Sequence, residues 1–472
     1  MHRQARHLTL ADQVYPQRGT AAAPIPDRST AATLLALLAF LPVWLSRPLG
    51  AGDASLAFAT PFLLAGWALM RRAPASAIGS ALRGDGSRGL WLEALAVGTV
   101  IVMASLSMLV SPEPFRAFRV LVPMAYAVCA LIIMARVPPL LRRRLVYAML
   151  FSGILVLALS VALSQTAGGR ALVMRDYRLR GFVENANQLG VMILCIWPLA
   201  IALLLNARSL RTRLLGLLGV AVLAAAMVLS GSKTGLGLGF VSAALLWLYH
   251  ASRSGSIGRT MVAFTLATCV LIVAVPVLLY VLSVASPVAF AKVETILTNG
   301  IWDYRSIQTR DEIWQESLRL GLAHPLLGSG AGAKVLGVSH SHNLSLDWFR
   351  GMGVLGLAAA LALSLSVIAR GSAFLVRSWS RGASNRALDV VTAAMFLGAI
   401  FYLVGNHLSD SLSPTTAFPF WMMVLGACLG TQPARLPRLA AAASTRRDWR
   451  APRVVPGAAL QPRRAFAEES AG

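Results

Sequence analysis

Long apolar runs separated by short polar segments fill most of this chain. Twelve of the runs are about 20 residues long, the length that a helix needs to cross a hydrocarbon core of ~30 Å. Polar and apolar positions do not alternate within the runs, so helices are favoured over strands. The pattern predicts an all-α, polytopic membrane protein with about twelve transmembrane helices, near 31–50, 54–70, 90–110, 118–135, 145–164, 188–206, 212–230, 233–250, 261–284, 352–369, 389–405 and 415–431.

The same pattern divides the chain into five parts. A polar tail, 1–30, precedes transmembrane helices one to nine, 31–284. A polar loop, 285–351, then separates these from helices ten to twelve, 352–431. The tail at 432–472 is rich in Ala, Arg and Pro, a composition that predicts disorder.

One short helix is predicted inside the long polar loop. The sequence Thr309-Arg-Asp-Glu312 matches a capping box, which predicts a helix over 309–320. Gly321 is placed to end that helix. An apolar face is typical of a helix that lies at a membrane surface. The residues expected on that face are Ile313, Trp314 and Leu318.

Charge orients the predicted helices. The chain is 57% hydrophobic and 13% charged, against roughly 25% charged residues in soluble domains. With a cytoplasmic N-terminus, most Lys and Arg residues fall in segments assigned to the inside, as the positive-inside rule requires. The C-terminus is then also cytoplasmic, and the long loop lies outside. Topology and anionic membrane lipid account for the net charge of +24, so no nucleic acid partner is implied.

A few cations lie on the predicted outer side, against the insertion bias. Arg178 and Arg180 lie between helices five and six, Lys233 lies in a short turn between helices seven and eight, and Arg310 lies in the long loop. Cations in such places indicate an anionic ligand; the alternative is contact with lipid headgroups or local ion pairs. A Gly-rich run at 328–332 adds a turn whose backbone N–H groups could approach an anion.

The long loop ends in His340-Ser-His342-Asn343, directly before an apolar helix. A histidine titrates near neutral pH, so His342 is a candidate general base. The alternatives are a structural role for His342 at the start of the helix and a helix N-cap role for Asn343. For His340 and for His407 the structural role is favoured. No third ligand with zinc spacing accompanies the two histidines, and the four cysteines fit neither zinc nor disulfides, so no metal is predicted.

Several of these motifs together resemble the O-antigen ligase and polymerase superfamily. The closest likeness is His342-Asn343 followed by Leu346 and by Gly353-x-x-Gly356 at the start of a helix. The resemblance extends over about 175–365 and departs from the usual pattern at two positions, where Ala186 replaces a proline and Lys233 an arginine. Three further pieces agree in order: Arg180-Gly181-Phe182 with Asn185-x-Asn187, then Ser232-Lys233, then Arg310 with Trp314 and His324-Pro325.

The resemblance implies a reaction and a place for it. Such enzymes are multi-pass proteins of the bacterial inner membrane that move a glycan from undecaprenyl diphosphate to an acceptor sugar hydroxyl on the periplasmic side, without metal or cofactor. Ligases use lipid A–core as the acceptor, the outcome favoured here, and polymerases use a second lipid-linked glycan. The implied catalytic residues are His342 as the base and Arg180 and Arg310 at the diphosphate. The implied substrate-binding residues are Lys233, Asn343, Arg178, Asn187 and Ser232.

Two other classes of protein remain as alternatives. A transporter or flippase would carry polar groups near the middle of several spans. The predicted spans carry almost none, because Glu93 and Asp347 lie near helix ends. A non-catalytic membrane subunit would leave the outward cations and His342 without a role.

Overall fold

A computed structural model of the protein describes residues 30–45, 59–60, 62–64, 91–137, 139–253, 257–285, 290–291, 294–295, 298, 305–338, 340–380, 386–408 and 417–430. Both predicted tails, 1–30 and 432–472, lie outside the described residues except for Thr30. The elements, in chain order, are α1 Thr30–Trp44, α2 Trp91–Val110, α3 Pro114–Arg136, α4 Pro139–Ser164, α5 Ala167–Val173, β1 Met174–Arg175, β2 Arg178–Leu179, α6 Ala186–Leu205, α7 Leu210–Ser230, α8 Lys233–Ser252, α9 Ile257–Ala285, α10 Arg305–Ala323, α11 Leu344–Ser380, α12 Arg386–Leu408 and α13 Ala417–Gly430.

The described elements are almost all helical, which confirms a polytopic, mostly α-helical membrane protein. Among the described residues, seven helices are long and apolar enough to cross a membrane: α3, α4, α6, α7, α8, α11 and α12. Helices overlap each predicted span except 54–70, which lies largely outside the described residues. The total of twelve spans stays a prediction.

Helices α6 and α12 form the centre of the bundle. Most of their residues are buried, and they cross where glycines remove the side chain between them. A Cβ built on Gly398 would lie 2.3 Å from the carbonyl oxygen of Cys195, and one on Gly405 would lie 3.0 Å from Val191 Cγ1. Small residues let membrane helices approach closely, and dispersion contacts between them replace the missing hydrophobic driving force. In contrast, α7 exposes a row of leucines on its outer surface.

One end of the bundle is held by buried charges and is called the ion-pair end. Arg253, after α8, pairs with Asp389 in α12 at 2.8 Å, with 2% and 6% of the two side chains exposed. Arg253 also donates to the carbonyl oxygen of Ser378 in α11. Glu93 in α2 and Arg370 in α11 pair at 2.6 Å. Removing one partner of a buried ion pair is strongly destabilising, because it leaves the other charge buried and uncompensated.

Arg142, at the start of α4, belongs to the same end. Its guanidinium donates to the carbonyl oxygens of Met134, Ala135 and Val137, at 3.1, 3.2 and 2.6 Å. These carbonyls close α3, where the last four acceptors of a helix lack partners inside the helix. A cation there also complements the negative end of the helix dipole.

The predicted helix in the long loop exists, but both of its predicted ends are wrong. Helix α10 begins at Arg305, so Thr309 lies inside the helix and not at its N-cap. Gly321 also lies inside, and a Cβ built on it would lie 2.5 Å from the ring of Phe349. The glycine therefore lets α10 pack on α11. Of the predicted apolar face, Ile313 is buried and Leu318 is exposed.

Helix α11 starts at Leu344, eight positions before the predicted span, and is broken at Gly353. That residue has φ 69° and ψ −169°, which is not helical. The preceding loop fills the break, where the backbone N–H of Val354 donates to the carbonyl of Pro325 at 2.8 Å. The apolar run at 352–369 thus matches only the part of α11 after the break.

Candidate active site

The predicted site residues lie at the end of the bundle opposite the ion-pair end. Helices α6, α8 and α11 begin there, and α12 ends there. A Cβ on Gly190 would lie 2.4 Å from Ser232 Cβ, which places the start of α6 against the start of α8. His407 Nε2 lies 3.1 Å from Ser345 Oγ, which joins the end of α12 to the start of α11. Three helix N-termini, each with a partial positive charge, thus share one end of the protein.

Arg178 connects the loop before α6 to the ends of two helices. Its Nε donates to the carbonyl oxygen of Ser230 at 2.7 Å, and its Nη2 donates to Asn187 Oδ1 at 2.5 Å. The loop between α4 and α6 is therefore attached to the end of α7 and to the first turn of α6. Two predicted site residues, Arg178 and Asn187, are in direct contact, and both lie close to the turn that carries Lys233.

That loop has more structure than its sequence predicts. It contains the short helix α5 and the antiparallel pair β1–β2, a small departure from the all-α prediction. Arg180 follows β2 and is half-buried. Its backbone N–H and that of Gly181 both donate to the carbonyl of Val173, at 2.9 and 3.0 Å. The backbone that carries the Arg180 side chain is therefore fixed from two positions.

Helix α6 begins with a side-chain cap. Asn185 Oδ1 accepts a hydrogen bond from the backbone N–H of Gln188 at 2.8 Å, and Ala186 is the first helical residue. Proline is favoured at that position because its fixed φ suits the first turn and its missing N–H is not needed there. Alanine is also a good helix former. The departure from the usual proline is thus compatible with the same helix start.

Ser232 and Lys233 form the start of α8. Gly231 has φ 58° and ends α7, and Ser232 then caps α8 by accepting a bond from Gly235 N at 3.2 Å. Only 1% of Ser232 is exposed, while Lys233 is half-buried. The Ser232 hydroxyl has a structural role, so its predicted contact with substrate stays a prediction. Lys233 is the first residue of α8, so its cation lies at the N-terminus of that helix.

The His340–Asn343 segment lies at the start of α11. His342 has a left-handed backbone with φ 57°, and its ring stands 4.6 Å from that of His340, centroid to centroid, at 82°. Asn343 Oδ1 accepts from the backbone N–H groups of Ser345 and Leu346, at 3.0 and 3.2 Å. Asn343 is therefore the N-cap of α11, as the alternative interpretation of its sequence anticipated.

Two residues that were not among the predicted site residues hold this segment. Trp314 Nε1 donates to the carbonyl oxygen of Ser341 at 2.8 Å, and Asp347 Oδ1 accepts from the Ser341 N–H at the same distance. Arg310 lies one turn before Trp314 on α10, so its half-buried side chain starts from the same face of that helix. The spacing of four residues between Arg310 and Trp314 is the sequence feature that places both side chains on one face of a helix.

The Gly-rich run at 328–332 uses three of its five backbone N–H groups inside the protein. The backbone N–H groups of Gly328, Ser329 and Ala331 donate to His324 O, Arg350 O and Ser107 Oγ, at 2.8, 2.6 and 3.1 Å. The run packs the loop against α11 and α2. Contact of the turn with an anion stays a prediction.

Some outward cations have local partners. Arg350 is buried, and its Nη2 pairs with Asp347 at 3.0 Å. On the exposed side of α10, Arg319 donates to both carboxylate oxygens of Glu316 at 2.7 Å, which lowers the pKa of that carboxyl. For these two arginines a local ion pair explains the charge. Within the described ranges, no group of three His, Cys, Asp or Glu residues is placed to hold a metal ion.

The fold and the site define a multi-pass helical membrane protein with a cationic, histidine-containing site at one end. A family model described as O-antigen ligase matches residues 218–361. The match confirms the resemblance to the O-antigen ligase superfamily that the motifs of this segment indicate. The matched segment contains Lys233, Arg310 and His342, whereas Arg178 and Arg180 precede it. No curated protein matches the chain.

Proposed function

We propose that this protein transfers a glycan from undecaprenyl diphosphate to a hydroxyl of an acceptor sugar, with lipid A–core as the acceptor. The observation that carries the proposal is the arrangement of helix ends. The contacts His407–Ser345 and Gly190–Ser232 bring the segment with His342 and the segments with Arg180 and Lys233 to one end of the bundle. The family match supports the reaction class.

The proposed transfer requires a base for the acceptor hydroxyl and cations beside the leaving diphosphate. The bond between the anomeric carbon and the diphosphate oxygen breaks, and the electron pair leaves with the lipid diphosphate. A bond from the acceptor oxygen to the anomeric carbon forms, and His342 takes the proton of that hydroxyl. Arg180, Lys233 and Arg310, near helix N-termini, offset the negative charge that develops on the leaving group.

The proposed orientation rests on the charge distribution over the whole sequence, because most Lys and Arg residues fall in the segments assigned to the side of the ion-pair end. Arg142, Arg253 and Arg370 all lie at the ion-pair end, opposite the candidate site. Excess Lys and Arg mark the cytoplasmic side of a multi-pass protein. In this proposal the ion-pair end faces the cytoplasm of a bacterial inner membrane and the site faces the periplasm, where lipid-linked glycans await transfer.

The experiment that tests the function compares surface polysaccharides of a strain lacking the gene with those of the complemented strain. For a ligase, we expect loss of all glycan attached to lipid A–core while long lipid-linked chains persist. If only single-repeat glycans remain, or a secreted polymer disappears while lipopolysaccharide is intact, the protein is a polymerase of the same superfamily. Unchanged lipopolysaccharide together with unchanged secreted polymer would contradict both.

Arg180→Ala is expected to raise the KM for the lipid-linked donor by roughly 10- to 100-fold, the equivalent of one charged hydrogen bond worth about 1.5–3 kcal/mol. Arg180→Lys keeps the charge but loses the planar fork, so its KM should fall between the two. The measurement is initial rate against donor concentration in proteoliposomes.

Arg175→Ala is the matched control for Arg180. Arg175 lies on the same hairpin, its side chain is 65% exposed, and it already faces Asp176 at 3.7 Å. Its loss should leave the donor KM unchanged. Equal KM values for wild type, Arg180→Lys and Arg180→Ala would remove Arg180 from the diphosphate site.

A further inference from the structure

The backbone of Ser341, the residue before His342, is held through both its N–H and its carbonyl oxygen. Ser341 is fully buried, and its N–H donates to Asp347 Oδ1 at 2.8 Å. Its carbonyl oxygen accepts from Trp314 Nε1, also at 2.8 Å. The hydroxyl of Ser341 donates to the carbonyl of Asn343 at 3.0 Å, so the chain is closed over His342 itself.

The conformation that these bonds hold is not the one His342 would choose alone. Its φ of 57° lies in the left-handed region, which side chains with a Cβ enter only at a cost. Such conformations persist where surrounding contacts over-determine them, and they concentrate at functional sites. The bonds to Ser341 therefore constrain the backbone from which the His342 side chain starts.

Asp347 is itself immobilised. Arg350 Nη2 pairs with its Oδ1 at 3.0 Å, and Arg350 Nη1 donates to the carbonyl of Ala333 at 2.5 Å. The two side chains are 3% and 12% exposed. The second oxygen, Oδ2, is buried without a hydrogen-bond partner within the described part of the chain. Stability alone does not favour a buried carboxylate with one oxygen unsatisfied, which indicates that the carboxylate serves the geometry of the loop.

We propose that Asp347 and Trp314 are positioning residues that hold the backbone of Ser341, Asp347 through its N–H and Trp314 through its carbonyl oxygen, and thereby fix the imidazole of His342 against the acceptor hydroxyl. The inference rests on the proposed function. Neither residue touches the substrate in this proposal. Because Trp314 lies one turn from Arg310, the same bond fixes α10, and with it the Arg310 cation, relative to the base.

The protein contains a matched ion pair at its other end. Arg253 pairs with Asp389 at 2.8 Å and donates to a backbone carbonyl, that of Ser378, as Arg350 donates to that of Ala333. Both pairs are almost fully buried. Only the Asp347 pair lies at the site, so the Asp389 pair reports the effect of losing a buried ion pair as such.

The test compares two double variants in proteoliposomes with a lipid-diphosphate-linked glycan and a purified acceptor. Replacing both partners of a buried ion pair by apolar residues of similar size is often neutral for stability. We expect Asp347→Leu/Arg350→Met to remain folded, with an unchanged acceptor KM and a kcat about 100-fold lower, the scale of a 1 Å misplacement of a reacting group. Asp389→Leu/Arg253→Met should keep its kcat.

Two single variants complete the test. Asp347→Asn keeps an acceptor oxygen for the Ser341 N–H and should restore most of the kcat. Trp314→Phe removes only the donor to the Ser341 carbonyl and should lower kcat without changing the acceptor KM; it replaces the first double variant should that one not fold.

The outcomes separate this inference from the proposed function. An unchanged kcat in the folded Asp347→Leu/Arg350→Met variant or in Trp314→Phe overturns it, and so does an equal fall in both double variants. His342→Ala is measured alongside. If His342→Ala is inactive while the positioning variants are fully active, only the inference fails; if His342→Ala is fully active, the assignment of His342 as the base fails first.

Discussion

His342→Ala is expected to lower the rate of glycan transfer by about 10²–10⁴-fold, the usual contribution of a general base. The side chain lies at the start of α11, outside the apolar helix contacts that hold the bundle, so membrane insertion and folding should be preserved. The measurement is product formed per folded protein. Wild-type product levels from a well-folded variant would contradict the assignment.

Two control variants isolate the imidazole. Asparagine tolerates the left-handed backbone of position 342 better than alanine, so His342→Asn removes the base with less strain. It should be as inactive as His342→Ala. His340→Ala removes the neighbouring ring, 4.6 Å away, and should retain most of the activity. Equal losses at the two positions would indicate that the paired rings, and not one base, matter.

Gly353→Ala is expected to destabilise the protein by about 3 kcal/mol or more, because backbone strain of ~1–3 kcal/mol adds to a steric clash of similar size. The φ and ψ of Gly353 are open only to glycine, and a Cβ there would lie 2.2 Å from the carbonyl oxygen of Leu326. The α11 break and the loop that fills it would both have to move. Thermal unfolding in detergent measures the change.

Gly351→Ala is the matched control for that variant. A Cβ on Gly351 meets the Cα of Ala331 at 3.5 Å, an ordinary contact, in a helical backbone. The change should alter stability by less than about 1 kcal/mol, since alanine is favoured over glycine in a helix. Equal unfolding temperatures for the two variants would show that the α11 break is not required.

The apolar runs predicted the helices well because a membrane span depends on length and hydrophobicity, which are local properties of the sequence. The ends of α10 were mispredicted for a different reason. Gly321 carries a strong local stop signal, but α10 packs on α11 through Phe349 at this position and continues past it to Ala323. Tertiary contacts override local preferences where the buried surface is larger than a cap is worth.

The site shows the same division. Sequence motifs singled out Arg178, Asn187 and Asn343, and the structure gives each a partner or a cap. The hydrogen bond from Trp314 to Ser341 was not predictable, since the two residues are 27 positions apart and meet only in the folded protein. The Gly-rich run has an ambiguous sequence, because glycines that suit an anion-binding turn also suit a tightly packed loop.

The pair between Arg253 and Asp389 joins residues 136 positions apart in the chain. At ~5–20 residues per second, a ribosome needs roughly 7–27 seconds to make the segment between them. During that interval α8 and Arg253 have been synthesised, but Asp389 has not. A guanidinium at a helix end can contact lipid phosphates at the membrane surface in the meantime. The buried pair can form only after synthesis has reached Asp389, so the bundle closes at this end only once α12 has begun to emerge.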